Sequence, residues 1–113
     1  MTVEKINLVL GISNTSIGLV LALLALPLMK EKVKMNEWYG VKFSKSYESD
    51  ELWYKINKKG GEYMFRWGVV TALLGLSCFV QPPMEGVLMW VNTAVPLLFL
   101  IGVIETYVFA WKL

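Results

Sequence analysis

The chain has 113 residues, 56% of them hydrophobic and 18% charged, with 11 Lys and Arg against 9 Asp and Glu and no His. Because soluble domains carry about 25% charged residues, this composition excludes an ordinary water-exposed globule and predicts a membrane protein. The net charge of +2 argues against a nucleic-acid interface, the lack of His excludes imidazole chemistry, and a single cysteine, Cys78, excludes an internal disulfide and a cysteine-rich metal site.

Three uncharged stretches, 6–29, 67–84 and 86–104, are long enough to cross a bilayer as helices, since a span needs about 20 apolar residues. We therefore predict a single-domain, all-α integral membrane protein with three transmembrane helices. Their predicted bounds are about 6–29, 63–82 and 86–108, with a cytoplasmic segment at about 30–62. The alternative for the first stretch is a cleaved signal peptide, which its length and the lack of a cleavage site disfavour.

The distribution of cations predicts the orientation. Nine of the eleven Lys and Arg lie between Lys30 and Arg66, whereas the connection 81–85 contains none. Cytoplasmic loops are enriched in Lys and Arg, so the middle segment is predicted to be cytoplasmic. The N-terminus is then outside and the C-terminus inside the plasma membrane, with Lys5 the one cation that opposes this arrangement.

Small residues recur at helical spacing in the first two spans. Such stripes allow helix backbones to approach closely. They favour packing within a three-helix bundle, and the alternative is an interface in a homo-oligomer. The stripes consist of Gly11, Gly18 and Ala25 in the first span and Gly68, Ala72 and Gly75 in the second.

Two ionisable residues lie close to the predicted membrane core. Arg66 follows the start of the second span, and Glu105 precedes the end of the third. Charged side chains are costly in hydrocarbon unless they are paired, so we predict an intramembrane ion pair between Arg66 and Glu105. Alternatively, Arg66 extends to the lipid headgroups while Glu105 faces water.

A short amphipathic helix is predicted inside the cytoplasmic segment. Ser49 is a suitable N-cap, acidic residues follow it in the first turn, and Gly60 stands after Lys58 and Lys59 as a stop signal. Trp53 lies on its apolar face, which would cover the bilayer surface or the bundle. Whether the Gly60-Gly61 pair ends this helix or only kinks it into the second span stays open.

This segment resembles the SdpI family of small bacterial membrane proteins. The resemblance rests on Asn36, the run from Tyr39 through Gly40 to Lys42, an acidic pair before Trp53, Asn57, and the pair Gly60-Gly61 that leads into a hydrophobic span. The family usually has Arg where Lys42 stands. We take these positions, Asn36, Tyr39, Gly40, Lys42, Trp53, Asn57, Gly60 and Gly61, as the candidate functional segment.

The resemblance implies a multi-pass membrane protein that gives immunity to a membrane-active toxin, as the name-giving member does, with the bilayer and a secreted toxin as partners. The alternative is a small membrane scaffold or signalling regulator that binds a cytoplasmic partner through residues 36–61. No enzymatic activity, cofactor or metal is expected, because the sequence has no paired-carboxylate, nucleophile or phosphate-loop motif. Gly40 and Trp53 also have structural interpretations, a tight turn and a packing anchor.

Overall fold

The computed structural model describes residues 2–113, except for the side chain of Val3, and in this range it is helical without strands. Two 3-10 helices, Ser44–Tyr47 and Val95–Leu98, accompany four α-helices. The α-helices are α1 (Val3–Met29), α2 (Asp50–Ser77), α3 (Gly86–Ala94) and α4 (Phe99–Trp111). The molecule measures 52 × 23 × 19 Å along its principal axes. The predicted all-α class is confirmed for the described residues.

Within residues 2–113, two helical segments are long and apolar enough to cross a membrane. They are Glu4–Met29 and Gly86–Trp111, each of 26 residues, which at about 1.5 Å per residue exceeds the thickness of the hydrocarbon core. The second segment combines α3, the 3-10 turn and α4. Pro96 lies in that turn, where its missing N–H interrupts the regular hydrogen-bond ladder, but α3, the turn and α4 still form one continuous rod.

The short helix predicted between the first two spans is not a separate element. It forms the first turns of α2, which runs from Asp50 to Ser77 without a break. Ser49 is its N-cap, accepting a hydrogen bond from the Leu52 amide at 3.1 Å. The question left open for the Gly60-Gly61 pair is thereby answered, because both glycines lie inside α2 and do not end it. The helix ends at Ser77, five residues before the predicted end of the span at 82.

Both residues of the glycine pair lie within α2, where the absence of a side chain allows neighbouring segments to pack closely. A Cβ atom at Gly60 would lie 2.7 Å from a methyl group of Val41, and one at Gly61 would lie 3.0 Å from the carbonyl oxygen of Ala25. The first distance would force Val41 to shift, and the second is tighter than nearly all real contacts of a Cβ atom, so a side chain at either position requires its neighbours to move. The residues typical of a helix end here allow a loop and α1 to approach α2.

The small-residue stripes join α1 to α2 within one chain. A Cβ atom at Gly18 would lie 2.3 Å from the amide nitrogen of Ala72, and one at Gly75 would lie 2.3 Å from that of Thr15. The two backbones thus touch along the stripe, as small residues permit in membrane helix pairs. α4 packs on another side of α2, which makes α2 the central helix.

Many of the buried residues are polar or small, whereas the outer surface is apolar. Asn14 and Asn92 are buried, and the Asn14 side chain donates to the Asn92 carbonyl at 2.9 Å. Large aliphatic side chains face outward on each of the long helices, including Leu23, Leu73 and Ile104, which are at least 60% exposed. This arrangement is the one expected of helices that lipid surrounds, because lipid solvates apolar side chains and leaves polar groups to pair inside.

Candidate functional site

Residues 30–49, the connecting loop, close one end of the bundle between α1 and α2. Asn36 forms a turn in this loop. Its side-chain oxygen accepts hydrogen bonds from the amides of Trp38 and Tyr39 at 2.8 and 2.7 Å. The Asn36 side-chain amide donates to the carbonyls of Lys34 and Tyr39. A short asparagine side chain suits this role, since it can mimic a backbone turn. Asn36 thus orders the loop rather than offering a free amide.

Gly40 and Asn57 join the loop to α2. Gly40 has φ +123°, a conformation that side chains disfavour, and a Cβ there would lie 2.6 Å from the Asn57 side-chain oxygen. That oxygen accepts from the amide of Val41 at 2.5 Å, while the Asn57 side-chain amide donates to the Trp53 carbonyl at 3.0 Å. Asn57 is buried and supplies one of the hydrogen bonds that the loop backbone cannot form with itself.

Trp53 is the largest fully buried side chain and lies under the loop. Its indole nitrogen donates to the carbonyl of Val33 at 2.8 Å, and its ring lies 5.6 Å from that of Tyr47, centroid to centroid. Buried indoles usually need such a partner for the N–H group. Trp53 is therefore a packing anchor of the loop, and its side chain is closed to a ligand in this conformation.

Tyr39 ties the loop back to α1. Its hydroxyl group donates to the carbonyl of Leu24. Burial raises the pKa of the Tyr39 hydroxyl above its ordinary value, so the group stays protonated and continues to donate at physiological pH. The loop is thus attached to α1 through Tyr39 and to α2 through Asn57 and Trp53.

Of the eight positions chosen from the sequence, the structure brings Asn36, Tyr39, Gly40, Trp53 and Asn57 into one hydrogen-bonded unit, with Gly60 and Gly61 against its neighbours. Lys42 differs from the others because it is exposed and makes no ion pair with any residue from 2 to 113. Sequence reasoning missed Trp38, which is 88% exposed on the turn that Asn36 forms. Its position two residues after an asparagine in a loop was the available signal.

Arg66 and Glu105 lie together between α2 and α4. The two side chains are 2.5 Å apart, from the Nη2 atom of Arg66 to the Oε2 atom of Glu105. The other carboxylate oxygen accepts from the indole nitrogen of Trp67 at 2.6 Å. Both oxygens of Glu105 are therefore paired, which offsets the cost of removing the carboxylate from bulk water. The arginine side chain stays half exposed.

We expect a double-mutant cycle to detect coupling between these two residues. Arg66→Ala and Glu105→Ala should each destabilise the protein, and the double variant should lose about 1 kcal/mol less than the sum, as partly exposed ion pairs do. Reversible unfolding in mixed detergent micelles measures the three differences. Lys55→Ala, which removes an exposed pair with Glu51 within α2, serves as the control. Strictly additive losses would show that the contact contributes nothing to stability.

Comparison with known proteins identifies the chain. A sequence model of the SdpI/YfhL protein family matches residues 32–110, a range that contains most of the connecting loop and all of α2 and α3. The chain belongs to the SdpI family. No curated protein and no solved structure matches the chain. The matched range begins after α1, so the signature of this SdpI-family protein lies in the loop and in the helices that follow it.

Proposed function

We propose that this SdpI-family chain is a multi-pass protein of the bacterial plasma membrane that protects its cell from a membrane-active peptide or protein toxin. The family match over residues 32–110 is the observation that carries the proposal. Protection is not catalytic in this proposal: the protein acts by binding the toxin or by altering its access to the bilayer. A secreted toxin is then the partner outside the cell.

The geometry supports a rigid protein rather than a flexible one. The connecting loop is held by side chains from both long helices, among them Tyr39, Asn57 and Trp53. α1 and α2 are in backbone contact, which leaves little room for sliding. A rigid bundle suits a protein that must keep its shape while a membrane-active peptide disturbs the surrounding lipid.

The proposed topology has three spans, formed by α1, by the second half of α2, and by α3 with α4. Exposed Val69, Leu73 and Leu76 on α2 support the middle span, since they would face lipid there. The cations of residues 30–66 then lie at the cytoplasmic end, with the N-terminus outside and the C-terminus inside. The connection at Pro82-Pro83 lies at the outer end.

Single-cysteine labelling tests this topology. In a Cys78→Ala background, which has no other cysteine in this protein, we expect an impermeant maleimide to label Thr2→Cys and Glu85→Cys in intact cells, because both positions lie outside in the proposed topology. Glu37→Cys and Leu113→Cys should react only after permeabilisation. All four positions are exposed. Labelling of Thr2→Cys and Leu113→Cys from the same side would contradict an odd number of spans.

The immunity proposal is tested by expressing the chain in toxin-sensitive cells and challenging them with a secreted membrane-active toxin. Survival and the collapse of membrane potential, followed with a potential-sensitive dye, are the readouts. The control is an unrelated three-span membrane protein. Immunoblots of the membrane fraction check that the two proteins are expressed at equal levels. The expected result is retained potential and survival. Full collapse with the protein present at the membrane would overturn immunity for the toxin tested.

A second candidate function is binding of a cytoplasmic regulator through residues 36–61. Trp38 favours it, because a tryptophan that is 88% exposed on an ordered turn is a typical protein-binding residue. Co-purification of a transcriptional regulator with this protein, lost in Trp38→Ala and kept in Lys58→Ala, would support that function. A variant that loses immunity but still co-purifies with such a partner would favour the toxin-directed role instead.

A further inference from the structure

The connecting loop covers a crevice between helices that do not pack on each other. In the described residues, α1 and α4 both lie along α2 and scarcely touch one another. The gap between them forms a crevice of about 320 Å³, within the usual range of ligand pockets. Its walls are apolar and include Leu21 and Leu24 from α1, Met64 from α2 and Val103 from α4. Leu24 is 49% exposed, so the crevice opens at the outer surface.

The loop residues Lys42 and Phe43 lie between this crevice and a second pocket, which also has charged side chains in its walls. The second pocket has about 510 Å³ and is lined by Lys42 and Lys45 on one side and by Tyr107 and Trp111 on the other. Phe43 stacks edge-on against Tyr107, with 5.4 Å between ring centroids, and so holds the partition in place. An apolar compartment and a cationic compartment are therefore contiguous.

Charge in the second pocket is set by two lysines and one acid. Lys45 lies 3.9 Å from Glu48, a long contact between partly exposed groups. Lys42 has no acidic partner among residues 2–113 and is exposed. The pocket therefore carries an excess positive charge at the point where it meets the apolar crevice. Trp111 and Tyr107 are amphipathic side chains of the kind found at headgroup level.

We propose that the two compartments bind one anionic phospholipid of the cytoplasmic leaflet, with an acyl chain in the crevice and the phosphate at Lys42. Basic pockets between membrane helices on the cytoplasmic side bind anionic headgroups. A peptide would need partners for its backbone amides, and the crevice offers mainly aliphatic walls. The lipid binding rests on the cytoplasmic placement of the loop in the proposed topology, and it does not depend on toxin immunity.

Native mass spectrometry of the purified full chain in neutral detergent tests the proposal. The probes are phosphatidylglycerol and phosphatidylcholine with identical palmitoyl and oleoyl chains, and the readout is the fraction of protein that retains one lipid. We expect at least about fivefold preference for phosphatidylglycerol, since one lysine near a headgroup is worth about that factor. Equal retention of the two lipids would overturn the proposal.

Three variants locate the site. Lys42→Gln should lower phosphatidylglycerol retention about fivefold and leave phosphatidylcholine unchanged, whereas Lys58→Gln, an exposed lysine outside both pockets, should change neither. Val103→Trp should lower retention of both lipids by filling the crevice. An unchanged phosphatidylglycerol preference in Lys42→Gln, or full retention in a folded Val103→Trp, would overturn the assignment. Because binding is measured on purified protein, a negative result here leaves the toxin challenge an independent test of immunity.

Discussion

Gly18→Val is expected to separate α1 from α2 and to prevent the protein from adopting its native fold. The first atom of any side chain at residue 18 would stand 2.3 Å from the amide nitrogen of Ala72 and 2.4 Å from the carbonyl oxygen of Gly68. Both are backbone atoms in the middle of a helix and cannot rotate away. Overpacking a core costs about 1–3 kcal/mol when side chains can adjust, and we expect more here because they cannot.

The measurement is reversible unfolding in mixed micelles, together with the elution volume of the purified protein on a sizing column. Ser16→Val adds a similar side chain two residues earlier, on an exposed face of α1, and should leave both readouts unchanged. Gly18→Ala, with a single added carbon, should give an intermediate loss. A stable, monomeric Gly18→Val would show that the two helices do not touch at this position.

Periodicity and composition predicted the parts of this fold that depend on local sequence. The uncharged runs located α1 and the rod formed by α3 and α4, and the spacing of Gly11, Gly18 and Ala25 marked the packed face of α1. Local departures from regular α-helix were less well predicted. Pro96 gave a short 3-10 turn inside the third predicted span, because a missing N–H alters hydrogen bonding locally without stopping a helix that tertiary contacts support.

The continuity of α2 could not be predicted, because it depends on residues far away in the chain. Gly60 and Gly61 resemble a helix stop when only their neighbours are considered. In the fold they are buried against Val41 of the loop and Ala25 of α1, so the lack of a side chain serves packing. A local rule gave way to a tertiary contact, as propensity commonly does.

The candidate segment was predicted by residue but not by role. Asn36, Tyr39 and Asn57 were chosen because of the family resemblance, and the structure uses their polar groups to satisfy loop backbone or helix carbonyls. Which amide each side chain meets depends on the three-dimensional course of the loop, which periodicity does not describe. Lys42 is the exception, since its charge stays available at the surface.

Trp53→Ala is expected to release the connecting loop and to cost about 3–5 kcal/mol, the usual loss for a fully buried aromatic side chain. The indole is 0% exposed, and the loop crosses it at Gly40 and Tyr47. Its removal leaves a cavity and an unpaired carbonyl at Val33. Limited trypsin digestion measures the release, because Lys34, Lys42 and Lys45 should become cleavable.

Trp53→Phe separates packing from hydrogen bonding at the same position. It keeps an aromatic ring beside Tyr47 but removes the N–H donor to the Val33 carbonyl, so we expect a loss of about 1–2 kcal/mol and a loop that still resists trypsin. If Trp53 were instead a contact for a toxin or regulator, Trp53→Ala would abolish function while stability and trypsin resistance stayed unchanged. A graded loss from Trp53→Phe to Trp53→Ala, with function following stability, is the result that a packing anchor requires.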